Sequence, residues 1–218
     1  MPHHKDASAN HGKRPWWKSF RSTAAIGYCV RHFTGAWNRM TVERARIREG
    51  DRVVDIGCGP GESALLAARA APGVRVIATD PAWPCWVVAW ARSRGAGTRV
   101  RVRRAAAEAL AVPDGWATIA LSVNAFHHWA DPRQGLCELR RVLGPGGRLV
   151  LVDEDFPEDH RHTRFHHESG HTAPVHAGSP EVRAWLGELG FEEARLERVV
   201  DADGTPHHLL AARMPAAS

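Results

Sequence analysis

The stretch Arg52-Val-Val-Asp-Ile-Gly-Cys-Gly-Pro-Gly61 decides the fold. Its β-branched residues predict a short strand, its three glycines predict a turn, and the run ESALLAARAA from Glu62 predicts a helix. This order brings backbone N–H groups and a helix N-terminus close to a ligand. Because glycine has no Cβ, the turn can touch a nucleotide-like molecule closely.

The glycine spacing differs from that of a dinucleotide-binding turn. The pattern G-x-G-x-x-G requires glycine where this chain has Glu62, and the third glycine, Gly61, comes one residue early. A nicotinamide dehydrogenase is therefore disfavoured.

The chain after this turn alternates strand and helix patterns, which predicts a doubly wound, Rossmann-like α/β fold with a mostly parallel sheet. Thr41 is a possible N-cap for a helix over 41–50, and Asp131 is expected to cap a helix that Gly144–Gly147 ends. The last two strands are close enough in sequence to form an antiparallel hairpin. The predicted strands are 52–56, 74–79, 98–102, 118–123, 148–153, 193–200 and 207–213, and the helices after the turn are 62–71, 84–94, 131–143 and 179–189.

Length and composition favour one domain with small additions. The chain has 218 residues, of which 44% are hydrophobic, and no apolar run reaches the roughly 20 residues of a membrane span. Its four cysteines are dispersed and its first residues lack a secretory signal, which favours a cytoplasmic protein. We expect a flexible basic tail over 1–22, a helical cap over 23–49 and the main domain over 50–218.

The formal net charge of +5 comes mostly from the tail, where five basic residues face one acidic residue. The remaining chain is close to neutral, so the charge does not favour nucleic-acid binding by the fold. The tail segment KRPWWK could still stack on bases or lie on an anionic surface.

A carboxylate follows the second predicted strand. Asp80 lies 19 residues beyond Gly61, at the end of the sheet where ligands bind in doubly wound folds. An ionised carboxylate can accept hydrogen bonds from both hydroxyls of a ribose. The alternative role is to cap the helix that follows, and the two roles are compatible.

Residues 50–153 resemble the class I S-adenosylmethionine (SAM)-dependent methyltransferases, in the small-molecule branch called methyltransferase type 11. The motifs in order are DIGCGPG, ATDP, AAAEAL, NAFHHWADP and RRVLGPGGRLVLVD. The resemblance implies a seven-stranded sheet with an antiparallel last strand, with SAM lying across the glycine turn. It implies that Asp55 orders the ammonium group through water or the loop, and that Asp80 holds the ribose. The implied cofactor-binding residues are Asp55, Gly57, Cys58, Gly59, Gly61, Asp80, Pro81, Ala107, Glu108 and Asn124.

Two departures from the family pattern affect adenine recognition. Family members carry an aspartate at the position of Ala106, and an aromatic residue followed by aspartate within 114–118. The backbone N–H of Ala107 and the carboxylate of Glu108 remain as candidate adenine contacts. Losing one hydrogen bond to the ligand is expected to cost about 1 kcal/mol. We therefore expect weakened or altered adenine recognition.

Candidate catalytic residues follow the fourth predicted strand. His127 and His128 occupy the expected mouth of the site, where a neutral imidazole can act as a general base for an acceptor hydroxyl. Of the two, His127 is the preferred candidate. The alternative is that one histidine packs in the loop and the other faces solvent. Trp129 is the aromatic candidate for the pocket wall, whereas Trp83, Trp86 and Trp90 have the helical spacing of packing residues.

The segment 154–178 is rich in histidine, with His160, His162, His166, His167, His171 and His176. Such a density of imidazoles could bind zinc, but no spacing matches an established metal motif. A polar lid over the substrate is the interpretation we favour, and no metal site is predicted.

These observations predict a SAM-dependent methyltransferase that acts on oxygen, nitrogen or carbon of a small molecule by in-line displacement. One alternative is an RNA methyltransferase that uses the basic tail. Another is a non-catalytic relative that keeps the fold as an interaction module.

Overall fold

The computed structural model describes residues 35–155, 175–200 and 204–217. The predicted tail over 1–22, the first part of the predicted cap (23–34) and His160, His162, His166, His167 and His171 lie outside the described residues. The predictions made for those segments, including the lid, stay predictions.

A seven-stranded sheet forms the centre of the fold. The strands are β1 Arg52–Ile56, β2 Arg75–Thr79, β3 Val100–Arg103, β4 Ala117–Val123, β5 Leu143–Glu154, β6 Glu192–Val200 and β7 Pro206–Arg213. The sheet order is β3-β2-β1-β4-β5-β7-β6, and β7 is antiparallel to both β5 and β6 while the other pairings are parallel. The predicted α/β class, the seven strands and the antiparallel last strand are confirmed.

Helices cover both faces of the sheet. Alternate residues of β1 face opposite layers: Val53 packs with the first three helices, and Val54 packs with the last two. Strands that are buried on both faces in this way are usual in parallel sheets. The helices are α1 Ala36–Arg44, α2 Glu62–Ala70, α3 Trp83–Ser93, α4 Pro132–Val142 and α5 Pro180–Glu188.

The N-terminal helix differs from its prediction. Helix α1 begins after Gly35 and ends at Arg44, so Thr41 is an interior residue and not an N-cap. Its hydroxyl donates a hydrogen bond of 2.7 Å to the carbonyl of Trp37, one turn back. A threonine that satisfies its hydroxyl in this way is tolerated inside a helix.

The predicted start of α4 is confirmed, whereas the predicted start of β5 is not. Asp131 caps α4, as predicted, because its Oδ1 accepts a hydrogen bond of 2.9 Å from the Gln134 N–H. Strand β5 starts earlier than predicted, because Leu143 already pairs with Ala117 of β4. The glycines after Leu143 fall in an irregular, bulged part of β5, with a register shift in the pairing to β4.

The prediction that the α3 tryptophans are packing residues is wrong for two of them. Trp83 is 57% exposed and Trp90 is 47% exposed. Small residues, including Cys85 and Ala89, form the buried face of α3 instead. Helical spacing showed that the tryptophans share a face, but not which face.

Candidate cofactor-binding site

A cleft lies where the strand order reverses, between the carboxyl ends of β1 and β4. The turn after β1 and the loop after β4 touch here: a Cβ on Gly57 would lie 2.4 Å from the Cβ of Ala125. Gly57 also has φ +68°, which disfavours any residue with a side chain. This glycine therefore lets two loops close around one space.

Asp55 is buried behind the glycine turn, where it binds Ser63 of α2. Its side chain is buried, it accepts a hydrogen bond of 2.6 Å from the hydroxyl of Ser63, and it does not line the cleft. Burial raises the pKa of Asp55 to about 6. Gly61 is likewise outside the cleft lining, at the start of α2 with φ +85°, close against Ala89. Both residues shape the turn.

Asp80 joins the turn to β2 and lies in the cleft wall. Its Oδ2 accepts a hydrogen bond of 2.9 Å from the Gly59 N–H, and its Oδ1 accepts one of 2.8 Å from the Ala82 N–H. Burial raises the pKa of Asp80 to about 7, although these two bonds lower it. Each carboxylate oxygen keeps a second lone pair for a ligand. The carboxylate therefore both holds the start of α3 and faces the cleft.

The cleft wall carries polar atoms without a partner among the described residues. The Oδ1 of Asn124 and the indole Nε1 of Trp129 are buried and make no hydrogen bond there. Buried polar atoms are nearly always satisfied, so these two atoms are candidates for hydrogen bonds to a ligand in the cleft. The lining residues include Gly57, Cys58, Gly59, Pro60, Asp80, Pro81, Cys85, Ala106, Ala107, Glu108, Asn124, Ala125, His128 and Trp129.

Where the sequence predicts adenine binding, the cleft is lined by two alanines and one carboxylate. Ala106, Ala107 and Glu108 line the cleft next to one another. One oxygen of Glu108, Oε1, accepts a hydrogen bond of 3.0 Å from the Asp131 N–H, which fixes the side chain in place. Glu108 is therefore the carboxylate that the structure offers where the family aspartate is replaced by Ala106.

The two histidines have different environments. His128 lines the cleft, whereas His127 is buried outside the lining, with its Nδ1 2.6 Å from the Oδ1 of Asp153 at the end of β5. The two imidazole centroids are 3.9 Å apart. Burial raises the pKa of Asp153 to about 7. The preference for His127 is therefore not supported, because His127 belongs to an internal pair and His128 is the histidine that lines the cleft.

Of the histidines named in the histidine-rich segment, His176 is the one that the structure describes. Its ring stacks on that of His208, with centroids 5.4 Å apart, and burial lowers its pKa. Within residues 35–155, 175–200 and 204–217, no group of three potential ligands has the geometry to hold a metal ion.

The sheet order, the glycine turn and the carboxylate at the end of β2 define a nucleotide-type site in a Rossmann-like fold. Residues 54–151 match the family model described as a methyltransferase domain. This part of the chain therefore resembles a class I SAM-dependent methyltransferase domain, and SAM is the cofactor that the resemblance implies for the cleft. The cleft suits that group, because it offers a close backbone approach at Gly57, the Asp80 carboxylate and the Oδ1 of Asn124, which accepts no hydrogen bond from the described residues.

Relatives of known name include quinone methyltransferases. The chain is 37% identical over 117 residues to a demethylmenaquinone methyltransferase of Thermus thermophilus, covering 54% of this chain and 53% of the relative. It is 32% identical over 135 residues to a ubiquinone/menaquinone biosynthesis C-methyltransferase, UbiE, of Geobacter sulfurreducens, covering 60% and 52%. The chain thus spans about half the length of these relatives.

Solved structures share the fold at low sequence identity. Phosphoethanolamine N-methyltransferase 2 of Haemonchus contortus, in complex with SAM, superposes with a TM-score of 0.74 at 16% identity, covering 91% of this chain and 60% of that one. The [4+2]-cyclase SpnF superposes with a TM-score of 0.66 at 21% identity, covering 83% and 81%. The fold alone therefore does not determine the reaction.

Several residues of the site were missed in the sequence. Ser63 binds Asp55, eight positions away, and Asp153 binds His127, 26 positions away. Cys85 lines the cleft from α3. Asp153 ends the RRVLGPGGRLVLVD motif, so a polar residue closing a buried strand was the available signal. For Ser63 and Cys85 the sequence gives no such signal.

Proposed function

We propose that this protein transfers a methyl group from SAM to a small-molecule acceptor. The observation that carries the proposal is the Asp80 carboxylate, held by two backbone N–H groups in the wall of a cleft at the glycine turn. A fixed carboxylate at this place suits a ribose, and the small residues at 106 and 107 leave space for an adenine ring.

The cofactor supplies an electrophilic methyl group on a sulfonium, and the protein must align an acceptor and exclude water. Trp129 and His128 belong to the loop after β4 and form part of the cleft wall. We assign His128 as the base that accepts a proton from the acceptor and Trp129 as an apolar wall. His127, paired with Asp153, supports the position of the His128 ring.

A quinone-type molecule in its reduced, hydroxylated form is the first acceptor to test. The support is the names of the relatives, which are demethylmenaquinone and ubiquinone/menaquinone methyltransferases. Methylation of a ring carbon next to a hydroxyl is helped by removing the hydroxyl proton, and a neutral histidine is suited to that step.

Two alternatives, an RNA methyltransferase and a non-catalytic relative, rest on different features of the chain. The first rests on the basic tail, which lies outside the described residues. The second rests on Ala106, where the family carries an aspartate. The matched domain, the Asp80 carboxylate and the acidic Glu108 in the cleft favour the methyltransferase over both.

The test is transfer of radiolabelled methyl from SAM to reduced demethylmenaquinone, a panel of small phenols and bulk RNA. We expect label in a small molecule, and at least tenfold less with His128→Ala, on the scale of general-base catalysis. An exposed residue far from the cleft, Glu49, supplies the control variant Glu49→Gln. Label in RNA alone would contradict the proposal, as would SAM binding without any transfer.

A cytoplasmic location belongs to the same proposal. None of the described cysteines, Cys58, Cys85 and Cys137, is in a disulfide, which is usual in a reducing compartment. Among the residues that the structure describes, we find no helix of the length and apolarity that crossing a membrane requires.

A further inference from the structure

One segment of the main domain carries positive charge without any acidic residue, which the net charge of the chain conceals. Residues 81–107 contain six arginines and no aspartate or glutamate, whereas the whole chain has a formal net charge of only +5. This segment runs from the start of α3 through β3 to the wall of the cleft.

The segment forms one edge of the molecule. Strand β3 is the terminal strand of the sheet on this side, and α3 packs against it. In the described part of the chain, Arg92 alone among the six arginines has a carboxylate partner, Glu62 at 2.5 Å. Most of this positive charge is therefore available to an external partner.

Two tryptophans stand out on the same edge. The exposed large hydrophobic residues of the described chain are Trp83, Trp90 and Val200, and the first two are on α3. They are seven positions apart, which places them on one side of the helix, roughly 10 Å apart along its axis. The guanidinium of Arg94 lies 5.2 Å from the ring centroid of Trp90. An indole in this position is a protruding apolar group with a cation beside it.

A second cation flanks the other end of the pair. Arg104 is exposed, and its Nε donates a hydrogen bond of 3.2 Å to the carbonyl of Pro81, two residues before Trp83. Pro81 also lines the cofactor cleft. We call Trp83, Trp90, Arg94 and Arg104 the Trp–Arg ridge, and it borders the cleft on the α3 side.

We propose that the Trp–Arg ridge binds the protein to the surface of an anionic lipid bilayer. Uncompensated arginines are attracted to the negative surface of such a membrane, and each contributes separately to binding. Indole rings prefer the interface between lipid headgroups and acyl chains, where one part of the ring is apolar and the N–H is hydrated. Exposed arginines and indoles together fit a bilayer surface better than a protein groove or a nucleic acid, because the two indoles lie on the exposed side of one helix.

This location has a consequence for the cleft. Contact through α3 holds the Pro81 side of the cleft close to the membrane surface, so an acceptor dissolved in the lipid would meet the protein there. The inference stands on the ridge alone and does not depend on which acceptor is methylated.

The test is co-sedimentation of the full-length protein with vesicles of phosphatidylcholine alone and with vesicles that also contain about 30% phosphatidylglycerol, which gives them a negative surface potential. We expect binding to the anionic vesicles only, weakened by salt. Arg94→Gln with Arg104→Gln should reduce the partition coefficient on the order of tenfold. Trp83→Ser with Trp90→Ser should also reduce it, and should abolish the quenching of tryptophan fluorescence by brominated lipid.

Matched controls come from the opposite side of the molecule. Arg183 on α5 and Arg195 on β6 are exposed, and β6 is the other terminal strand of the sheet. Arg183→Gln with Arg195→Gln should leave vesicle binding unchanged, and so should Val200→Ser. Folding of every variant is checked by its thermal unfolding, and SAM binding is measured separately so that the two proposals fail or succeed independently.

Three results would overturn the proposal. One is no difference between anionic and neutral vesicles. Another is anionic binding that survives the ridge variants and disappears when residues 1–22 are deleted, since the basic tail would then be the membrane contact. The third is ridge-dependent binding of RNA without vesicle binding, which would assign this surface to nucleic acid.

Discussion

The backbone N–H of Gly59 donates a hydrogen bond of 2.9 Å to Oδ2 of Asp80, which ties the turn after β1 to the carboxylate after β2. The other oxygen of the same carboxylate receives the Ala82 N–H, so the side chain has little freedom to rotate. A ligand that uses Asp80 therefore meets an acceptor that is already positioned, and little entropy is lost in ordering it. The geometry of the turn and the chemistry of the carboxylate form one unit.

Gly57→Ala should disrupt both folding and cofactor binding. The new Cβ would lie 2.4 Å from the Cβ of Ala125, and φ is +68°. We expect a loss of about 2 kcal/mol or more in the free energy of unfolding, measured by chemical denaturation, together with weaker SAM binding. Gly50→Ala is the matched control, because Gly50 has φ +75° with open space around it. Equal losses in the two variants would show that the contact with Ala125 is unimportant.

Asn124→Gly should separate the side chain of Asn124 from its backbone. Asn124 has φ +49°, which glycine adopts readily, and its Oδ1 is buried without a hydrogen bond among the described residues. If the ligand supplies the missing partner, removing this oxygen weakens SAM binding by about threefold to tenfold without lowering stability. Arg46→Gly, at φ +47° and far from the cleft, is the control for the backbone effect. Unchanged affinity for SAM in Asn124→Gly would exclude the oxygen from cofactor binding.

Local sequence patterns were sufficient to predict the sheet, the glycine turn and the position of Asp80. Each of these depends on residues close together in the chain, such as the β-branched run before Gly57 and the apolar run of β5. The antiparallel last strand came from the resemblance, and the hairpin of β6 and β7 agreed with it.

The environments of individual side chains depended on contacts that no local pattern contains. His127 and His128 are adjacent in sequence, yet the first is buried against Asp153 and the second lines the cleft. Thr41 has the residue type of an N-cap but lies inside α1, because the helix starts six residues earlier, after Gly35. The ridge on α3 was missed because net charge averages the arginine-rich segment with acidic residues elsewhere.

Asp55→Asn should change the pH dependence of stability. Burial raises the pKa of Asp55 from 3.8 to about 6, so between these values the folded protein binds more protons than the unfolded chain. The contribution of Asp55 to stability is therefore full below pH 3.8 and is lost as the pH rises through about 6. The amide that replaces the carboxyl group keeps an oxygen for the Ser63 hydroxyl and does not titrate. When the free energy of unfolding is plotted against pH over this range, the slope for Asp55→Asn should be less negative than that of the wild type by up to about 1.4 kcal/mol per pH unit. A slope identical to that of the wild type would contradict this account.

His127 and His128 should respond differently to substitution. His127→Ala leaves Asp153 buried without its imidazole, and we expect a loss of about 3 kcal/mol in the free energy of unfolding. His128→Ala should retain stability and SAM affinity and lose turnover, because its ring lies in the cleft wall. The double variant His127→Ala with Asp153→Ala tests the pair, since it should recover part of the stability lost in His127→Ala. Comparable destabilisation by His128→Ala would indicate a packing role for that residue.

The most direct test of the central claim is calorimetric titration of SAM and S-adenosylhomocysteine into the wild type, Asp80→Asn and the control Glu49→Gln. If the Asp80 carboxylate holds the ribose, the wild type and the control bind both ligands with micromolar affinity, and Asp80→Asn binds at least tenfold more weakly while remaining folded. If the folded wild type binds neither ligand, or if Asp80→Asn binds SAM as well as the control does, the assignment of this cleft as the cofactor site is contradicted.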